Sequence, residues 1–310
     1  MIEIKALSKQ YGRVLALDRL SISVGKGEIL GLLGPNGAGK STVLKILSGY
    51  LPQSSGEAYI GGLSLREKSL QARALVGYLP ENFVAPNELY VAEYLRYRAG
   101  LKRITRKERA AEVLRVMKLV GIDQRAKQRF DALSKGFKQR LGVADCLLGN
   151  PPVLILDEPF SGLDPLQRQD FRKILCGLKE EGKAIIFSSH VLPEVEDIAD
   201  RVLIIHHGKT RVAADVEQLL CINQQVVIST QGDHNENLSK LVECGGELTS
   251  AVVLRANTFV VDIDVSRRAQ CLHQMIERGI SVTGYSTSKR DLEDVFAEFV
   301  SSSALQRWIK

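Results

Sequence analysis

The stretch ILGLLGPNGAGKSTVLKILSG, Ile29 to Gly49, decides the fold. An apolar run, ILGLL, leads into GPNGAGKS (Gly34 to Ser41), and TVLKIL then repeats its apolar residues at helical spacing. G-x-x-x-x-G-K-[ST] between a strand and a helix is a phosphate-binding loop. Its glycines let the backbone curl until successive N–H groups point inward at phosphate oxygens. The helix that follows adds the positive end of its dipole. Lys40 is placed to reach the terminal phosphates, and the Ser41 hydroxyl to ligate Mg²⁺. The motif selects a nucleoside triphosphate without selecting its base, and no Asn-Lys-x-Asp guanine-reading pattern accompanies it. Tyr11, upstream, is either a ring that stacks on a purine or a surface aromatic.

Working outward, IEIKALSK and VLALDRLSISVGKGE alternate as short strands, with a hairpin turn expected at Gly27–Glu28 before ILGLLG. Gly49 should stop the helix after the loop. GEAYIGG and ALVGYLP are further strand candidates. Three later apolar runs, VLILD (153–157), AIIFSS (184–189) and RVLIIHHG (201–208), lack polar alternation, as parallel strands covered on both faces do. A helix-rich segment ending near Gly149 separates the two halves. The reading is an α/β core with a helical insertion over about residues 82–150.

Composition sets the frame. A chain of 310 residues suggests two domains, and 45% hydrophobic with 25% charged residues is ordinary for a globular protein. No apolar run reaches eighteen residues, so no membrane crossing is expected. The opening MIEIKALSKQYG lacks a basic segment followed by an apolar one, so no secretory leader is expected. Five cysteines, none in a CxxC pair, read as reduced thiols in a reducing compartment. The net charge of +6 decides nothing alone. Between Val91 and Gly121, nine Lys or Arg face three acids, on what reads as a helix pair. That segment is either a solvated basic face or a docking surface.

VLILDEP places Asp157 and Glu158 at the C-terminal end of a buried strand, where open parallel sheets hold ligands. Asp157 can hold Mg²⁺, directly or through water. Neighbours on a strand point opposite ways, so Glu158 reaches a terminal phosphate only if the backbone turns at the strand exit. There it would orient or deprotonate water. His190, ending AIIFSSH, sits at another strand exit and can donate one hydrogen bond and accept another. No metal-ligand spacing surrounds it. His206, His207 and His273 read as turn or surface histidines. LSKGFKQR, Leu133 to Arg140, is basic, has a glycine where a helix should begin, and has no local chemistry to complete.

Taken in order, GPNGAGKS, LSKGFKQR, VLILDEP, FSGLDP and SSH closely resemble the ATPase subunits of ABC transporters, over residues 1 to about 215. The resemblance implies a P-loop NTPase with a RecA-like core, an N-terminal antiparallel β subdomain and an inserted helical subdomain. It implies ATP and Mg²⁺ as cofactors, with Tyr11 on the adenine and the stretch Gly34, Pro35, Asn36, Gly37, Ala38, Gly39, Lys40, Ser41 and Thr42 on the phosphates. Ser41, Asp157 and Glu81 would serve the metal, Glu81 standing where the family usually has Gln. Glu158 would be the catalytic base, with His190 and Lys40 beside the γ-phosphate. LSKGFKQR would be the family signature, its Ser134, Lys135 and Gly136 facing nucleotide held by the other subunit of a homodimer or heterodimer, and Asp164 would cross that interface. The signature departs from the usual pattern, with Lys135 in place of Gly and Phe137 in place of Gln.

The same resemblance implies a separate membrane permease, nearest to the ABC-2 exporter type, and a peripheral place on the cytoplasmic face of the membrane. Residues 222–310 read as a small α+β accessory domain of strand–helix–strand–strand–helix–strand order followed by a last helix, RDLEDVFAEFV. The alternatives are a nucleotide-dependent regulatory subunit and soluble relatives that act on ribosomes or nucleic acid. One phosphate loop and a short connection between the two halves argue against the latter, so no direct nucleic-acid partner is expected.

Overall fold

The computed structural model describes residues 1–221, 225–232, 237, 258–262, 267–288 and 291–300. They fall into two compact units, Met1–Asp215 and Val216–Lys310.

The first unit begins with β1 (Ile2–Tyr11), β2 (Val14–Val24) and β3 (Ile29–Leu33), followed by α1 (Lys40–Leu47). β4 (Ser55–Ile60), β5 (Leu63–Ser64), α2 (Ser69–Ala74) and β6 (Val76–Leu79) come next. The helical insertion holds α3 (Val91–Leu101), α4 (Arg109–Leu119) and α5 (Lys135–Leu147). The chain returns through β7 (Val153–Asp157), α6 (Pro165–Glu180), β8 (Ala184–Ser188) and α7 (Leu192–Glu196) to β9 (Arg201–His206) and β10 (Lys209–Asp215).

Two sheets result. One is antiparallel, of order β2-β1-β4-β5; the other has the order β10-β9-β3-β8-β7-β6, parallel except for β10 at its edge. Burial explains the partition. Every residue of β3, β7 and β8 is buried, as strands covered on both faces must be. β1 and β2 alternate buried with exposed positions, which suits a sheet with one wet face. The hairpin expected at Gly27–Glu28 is therefore not formed. β2 pairs with β1, whereas β3 pairs with β8 and β9, so the turn carries the chain from one sheet into the other. A strand needing water on one face cannot sit beside one needing cover on both.

Part of the basic segment turns inward. The Arg98 guanidinium grips the buried Asp145 carboxylate at 2.9 and 3.0 Å. Lys102 donates to the carbonyls of Asp145, Cys146 and Leu148 at 2.5, 3.3 and 3.2 Å, at the end of α5. Carbonyls in the last turn of a helix lack their usual partners four residues on, the Asp145 carbonyl keeping only a 3.3 Å bond from the Leu148 N–H. A cation satisfies both the spare lone pairs and the negative end of the helix. Arg115 spans Glu112 and the Leu147 carbonyl. Part of what reads as a solvated or docking face is thus a clamp on α5.

The second unit contains α8 (Val216–Cys221), β11 (Gln225–Gln231), β12 (Thr258–Asp262), α9 (Arg268–Glu277), β13 (Ser281–Ser288) and α10 (Leu292–Val300). Its strands form an antiparallel sheet of order β12-β11-β13 over a core that includes Val226, Ile228, Phe259, Val261 and Met275. The helix expected from about Glu236 and the strand AVVLRA lie outside the described residues, Asn237 excepted. His273 is exposed and lies 3.3 Å from Glu277, a surface pair one helical turn apart. Cys146 and Cys271 are buried and Cys176 is half-buried, while the Cys221 side chain and Cys244 lie outside the description.

Candidate functional site

The glycine loop leaves β3 at the C-terminal edge of the parallel sheet and is held there by close backbone approaches. A Cβ at Gly34 would sit 2.3 Å from the Ile205 carbonyl oxygen of β9, so only glycine fits. The Gly208 N–H donates to the Ala38 carbonyl at 3.0 Å, fastening the loop to the turn between β9 and β10. Gly39, with φ 111, caps α1 in a conformation that side chains rarely adopt. Lys40 Nζ donates to the Gly34 carbonyl at 2.6 Å and the Pro35 carbonyl at 3.3 Å.

Residues Asn36 through Thr42 line a cavity of about 470 Å³, together with Ala16, Glu81, Glu158, Ser161 and His190. Asp157, only 1% exposed, lies beneath it. Its Oδ1 accepts from Ser41 Oγ at 3.2 Å and from Ser188 Oγ at 2.7 Å. One residue later the backbone of Glu158 takes φ 51, leaving the strand's alternation. A left-handed non-glycine residue costs roughly 1–2 kcal/mol, and here the turn brings the second acid round to the cavity. Glu158 N–H donates to Ser188 Oγ at 2.9 Å, so one buried hydroxyl holds both acids. His190 Nδ1 stands 2.7 Å from Glu158 Oε2.

Electrostatics follow from that crowding. Burial pushes the Glu158 carboxyl above its ordinary range, opposed by the His190 hydrogen bond and by Lys40. Burial pulls the Lys40 ammonium down, opposed by Glu158, Asp157 and Glu81. A half-buried carboxylate raised by burial is a competent proton acceptor. Among the described residues no group of three or more His, Cys, Asp and Glu forms an all-protein metal cage. Mg²⁺ does not need one, since it keeps several waters and is bound through one or two protein oxygens plus phosphates. The Ser41 hydroxyl against the Asp157 carboxylate fits that donor set.

Other residues singled out in the sequence stand apart from this cavity. Gly34 and Pro35 support the loop from behind, and Tyr11 is 45% exposed and does not line the cavity. Ser134 caps α5, accepting from the Phe137 N–H at 3.5 Å, and Asp164 caps α6, accepting from the Gln167 N–H at 2.8 Å. Gly136 is covered by Gln167, whose Oε1 would lie 2.1 Å from an added Cβ. Lys135 lies across Gly162, with Nζ 3.4 Å from Ser161 Oγ. Sequence reasoning missed Ala16, Ser161 and the structural work of Ser188 and Ser189. The two serines preceding His190 at a strand exit were the available signal; Ala16 carried none.

Residues 17–161 match the family described as ABC transporter. An uncharacterized ABC transporter ATP-binding protein of Synechocystis is 41% identical over 230 residues, which is 74% of this chain and 64% of the relative. The matched part thus spans less than two thirds of that relative's length. The bacitracin transport ATP-binding protein BcrA of Bacillus licheniformis is 32% identical over 308 residues, covering 98% of this chain and 99% of the relative. Among solved structures, an ATP-binding subunit of an ABC transporter superposes with a TM-score of 0.65 at 30% identity, over 71% of this chain and 91% of the other. A phosphate cradle, two acids and a histidine on one sheet edge, with alignment over nearly the whole length of BcrA, identify this chain as a member of the ABC transporter ATP-binding proteins.

Proposed function

We propose that the chain binds Mg²⁺–ATP in the cavity at the sheet edge, pairs with a second ATPase subunit around it, and powers export through a separate membrane permease. One observation carries the chemistry. Glu158, turned out of its strand, shares a cavity with Lys40 and Ser41 and meets His190 at 2.7 Å.

In this reading the loop N–H groups and Lys40 hold the phosphates, and Lys40 exchanges its contacts with the Gly34 and Pro35 carbonyls for phosphate oxygens. Ser41 and Asp157 hold Mg²⁺, with Glu81 as a further oxygen on the cavity wall; the ion supplies neutralisation of charge on the terminal phosphates. Glu158 accepts a proton from water as the water oxygen bonds to the γ-phosphorus and the bond to the ADP oxygen breaks. His190 orients Glu158 and the terminal phosphate through its two ring nitrogens. The exposed Tyr11 ring stacks on the adenine.

The turn from Ser134 to Gly136 completes the other subunit's site. The start of α5 then presents a helix N-terminus to charge held across the interface, and Asp164 lies along the same border. Nucleotide favours closure, and its hydrolysis permits opening. The second subunit is another copy of this chain or a similar ATPase. Among the described residues no helix is long and apolar enough to cross a membrane. In this reading a membrane partner supplies the channel, with this chain peripheral on the cytoplasmic face. Export is favoured by the names of relatives, among them the bacitracin transport protein and a linearmycin resistance ATP-binding protein of Bacillus subtilis, which is 35% identical over 224 residues. An ABC-2 type permease is the partner this reading selects.

Glu158→Gln tests the chemistry. Steady-state turnover should fall by roughly 10²- to 10⁴-fold while the ATP dissociation constant changes only a few-fold. Unchanged turnover removes Glu158 from the role of base.

A further inference from the structure

Two consecutive buried serines stand at the exit of β8, Ser188 as its last residue and Ser189 just beyond it. Ser188 holds the acids of the cavity. Ser189, fully buried, serves something else. Its Oγ donates to Glu194 Oε2 at 2.6 Å and accepts from the Val191 N–H at 3.0 Å, closing the turn that carries His190.

Glu194 is an unexpected residue for that place. It is 4% exposed, and burial pushes its carboxyl up against the opposing pull of Ser189 and Arg168. Arg168, its cation, stands at 3.8 Å, beyond hydrogen-bond reach, and gives its own Nε–H to the Leu163 carbonyl at 3.1 Å. A buried carboxylate so thinly compensated costs stability that a leucine of similar size would not. Its contacts point to what it secures. One side holds the serine beside His190, and the other faces the arginine that braces the turn ending at Asp164, where α6 begins.

We infer that Glu194 is a positioning residue for hydrolysis: through Ser189 it sets the His190 turn so that the imidazole meets Glu158, and through Arg168 it ties that turn to the Asp164 turn. The inference rests on the proposed role of His190 and Glu158. Glu194 touches no nucleotide in this account. It fixes the angle from which His190 approaches, and a buried hydrogen-bonded turn fixes it more tightly than a solvent-exposed loop would.

The test uses the full chain. Glu194→Leu should lower kcat about tenfold with the KM for ATP changed less than about twofold, because orientation is lost and binding is not. Glu194→Gln keeps an acceptor for Ser189 and should recover most of that loss. In a chain already carrying His190→Ala, adding Glu194→Leu should cost less than about twofold, since the two act as one unit. A readout independent of turnover comes from ¹⁵N-histidine NMR, with the His190 ring signals assigned by their loss in His190→Ala. Those signals should move in Glu194→Leu and return in Glu194→Gln. Ser189→Ala should give the same pattern and carries the test if the leucine variant does not fold. An unchanged kcat, an unmoved His190 signal, or full additivity with His190→Ala would each overturn the inference. If the parent chain showed no ATP turnover the proposed function would fail, while the ring signals would still report on the turn.

Discussion

The loop end of the parallel sheet and the N-terminal turn of α5 are both glycine-bearing, polar and followed by a helix, yet they are finished differently. At the sheet edge the polar groups converge: Ser41, Asp157, Ser188, Glu158 and His190 form one connected set inside a single chain. At α5, Ser134 and Lys135 are exposed, Ser134 is occupied only with its own helix cap, and none of the turn lines the cavity. The first is a set of groups that one chain connects by itself. The second reaches only its own helix cap and Ser161 and lines no cavity of its own chain, as the proposed contribution to another subunit's site requires.

The sharpest way to break that contrast is to damage each side separately. Lys40→Ala should weaken nucleotide binding by roughly 100-fold or more in a titration with a fluorescent ATP analogue. Ser134→Arg should leave that single-chain affinity within a few-fold but abolish the ATP-dependent dimer seen by light scattering in a Glu158→Gln background. If Ser134→Arg weakened nucleotide binding as Lys40→Ala does, the turn would belong to its own chain's cavity and the contrast would fail.

A smaller effect separates connected from unconnected polar groups. Ser188→Ala leaves Asp157 short of a donor and the Glu158 N–H without an acceptor, and should cost about 1–3 kcal/mol in urea unfolding. Ser134→Ala, which loses only a long cap bond, should cost at most about 1 kcal/mol in the same experiment.

The smallest effect lies in pH. The Glu194 carboxyl is raised above its ordinary value of 4.5, so the folded chain holds that proton more tightly than the unfolded chain does. Its contribution to stability is complete below the ordinary value and is lost as pH climbs through the raised one. Glu194→Gln has no such loss. Its stability relative to the parent should therefore rise as pH climbs above the ordinary value of 4.5, measured as the difference in unfolding midpoints. A flat difference would mean the carboxyl is not raised.

What sequence could tell differs among these regions for physical reasons. The α/β core is legible because its strands are unbroken apolar runs and its loop has a fixed spacing. The turn before β3 is not legible locally, because a glycine turn looks the same whether it closes a hairpin or changes sheets. The distinguishing feature was the change from alternating to continuous burial across it. The basic stretch was ambiguous because Arg98 and Asp145, and Lys102 and the end of α5, meet across more than forty residues of chain. Glu194 was passed over for the same reason: Ser189 is near it in sequence, but Arg168 comes from another helix. Pairings that tertiary folding creates leave no local trace.

The left-handed backbone at Glu158 has a consequence for what substitutions this position can accept. Asn and Asp tolerate such a φ better than Glu, but each stops one methylene short, too far back to meet the imidazole as the longer acid does. Gln keeps the reach and surrenders the charge. Val, Ile and Thr would carry a crowded Cβ into the same angle. Position 158 is thereby narrowed by reach from one side and by backbone shape from the other, so mutational drift there has almost nowhere to go.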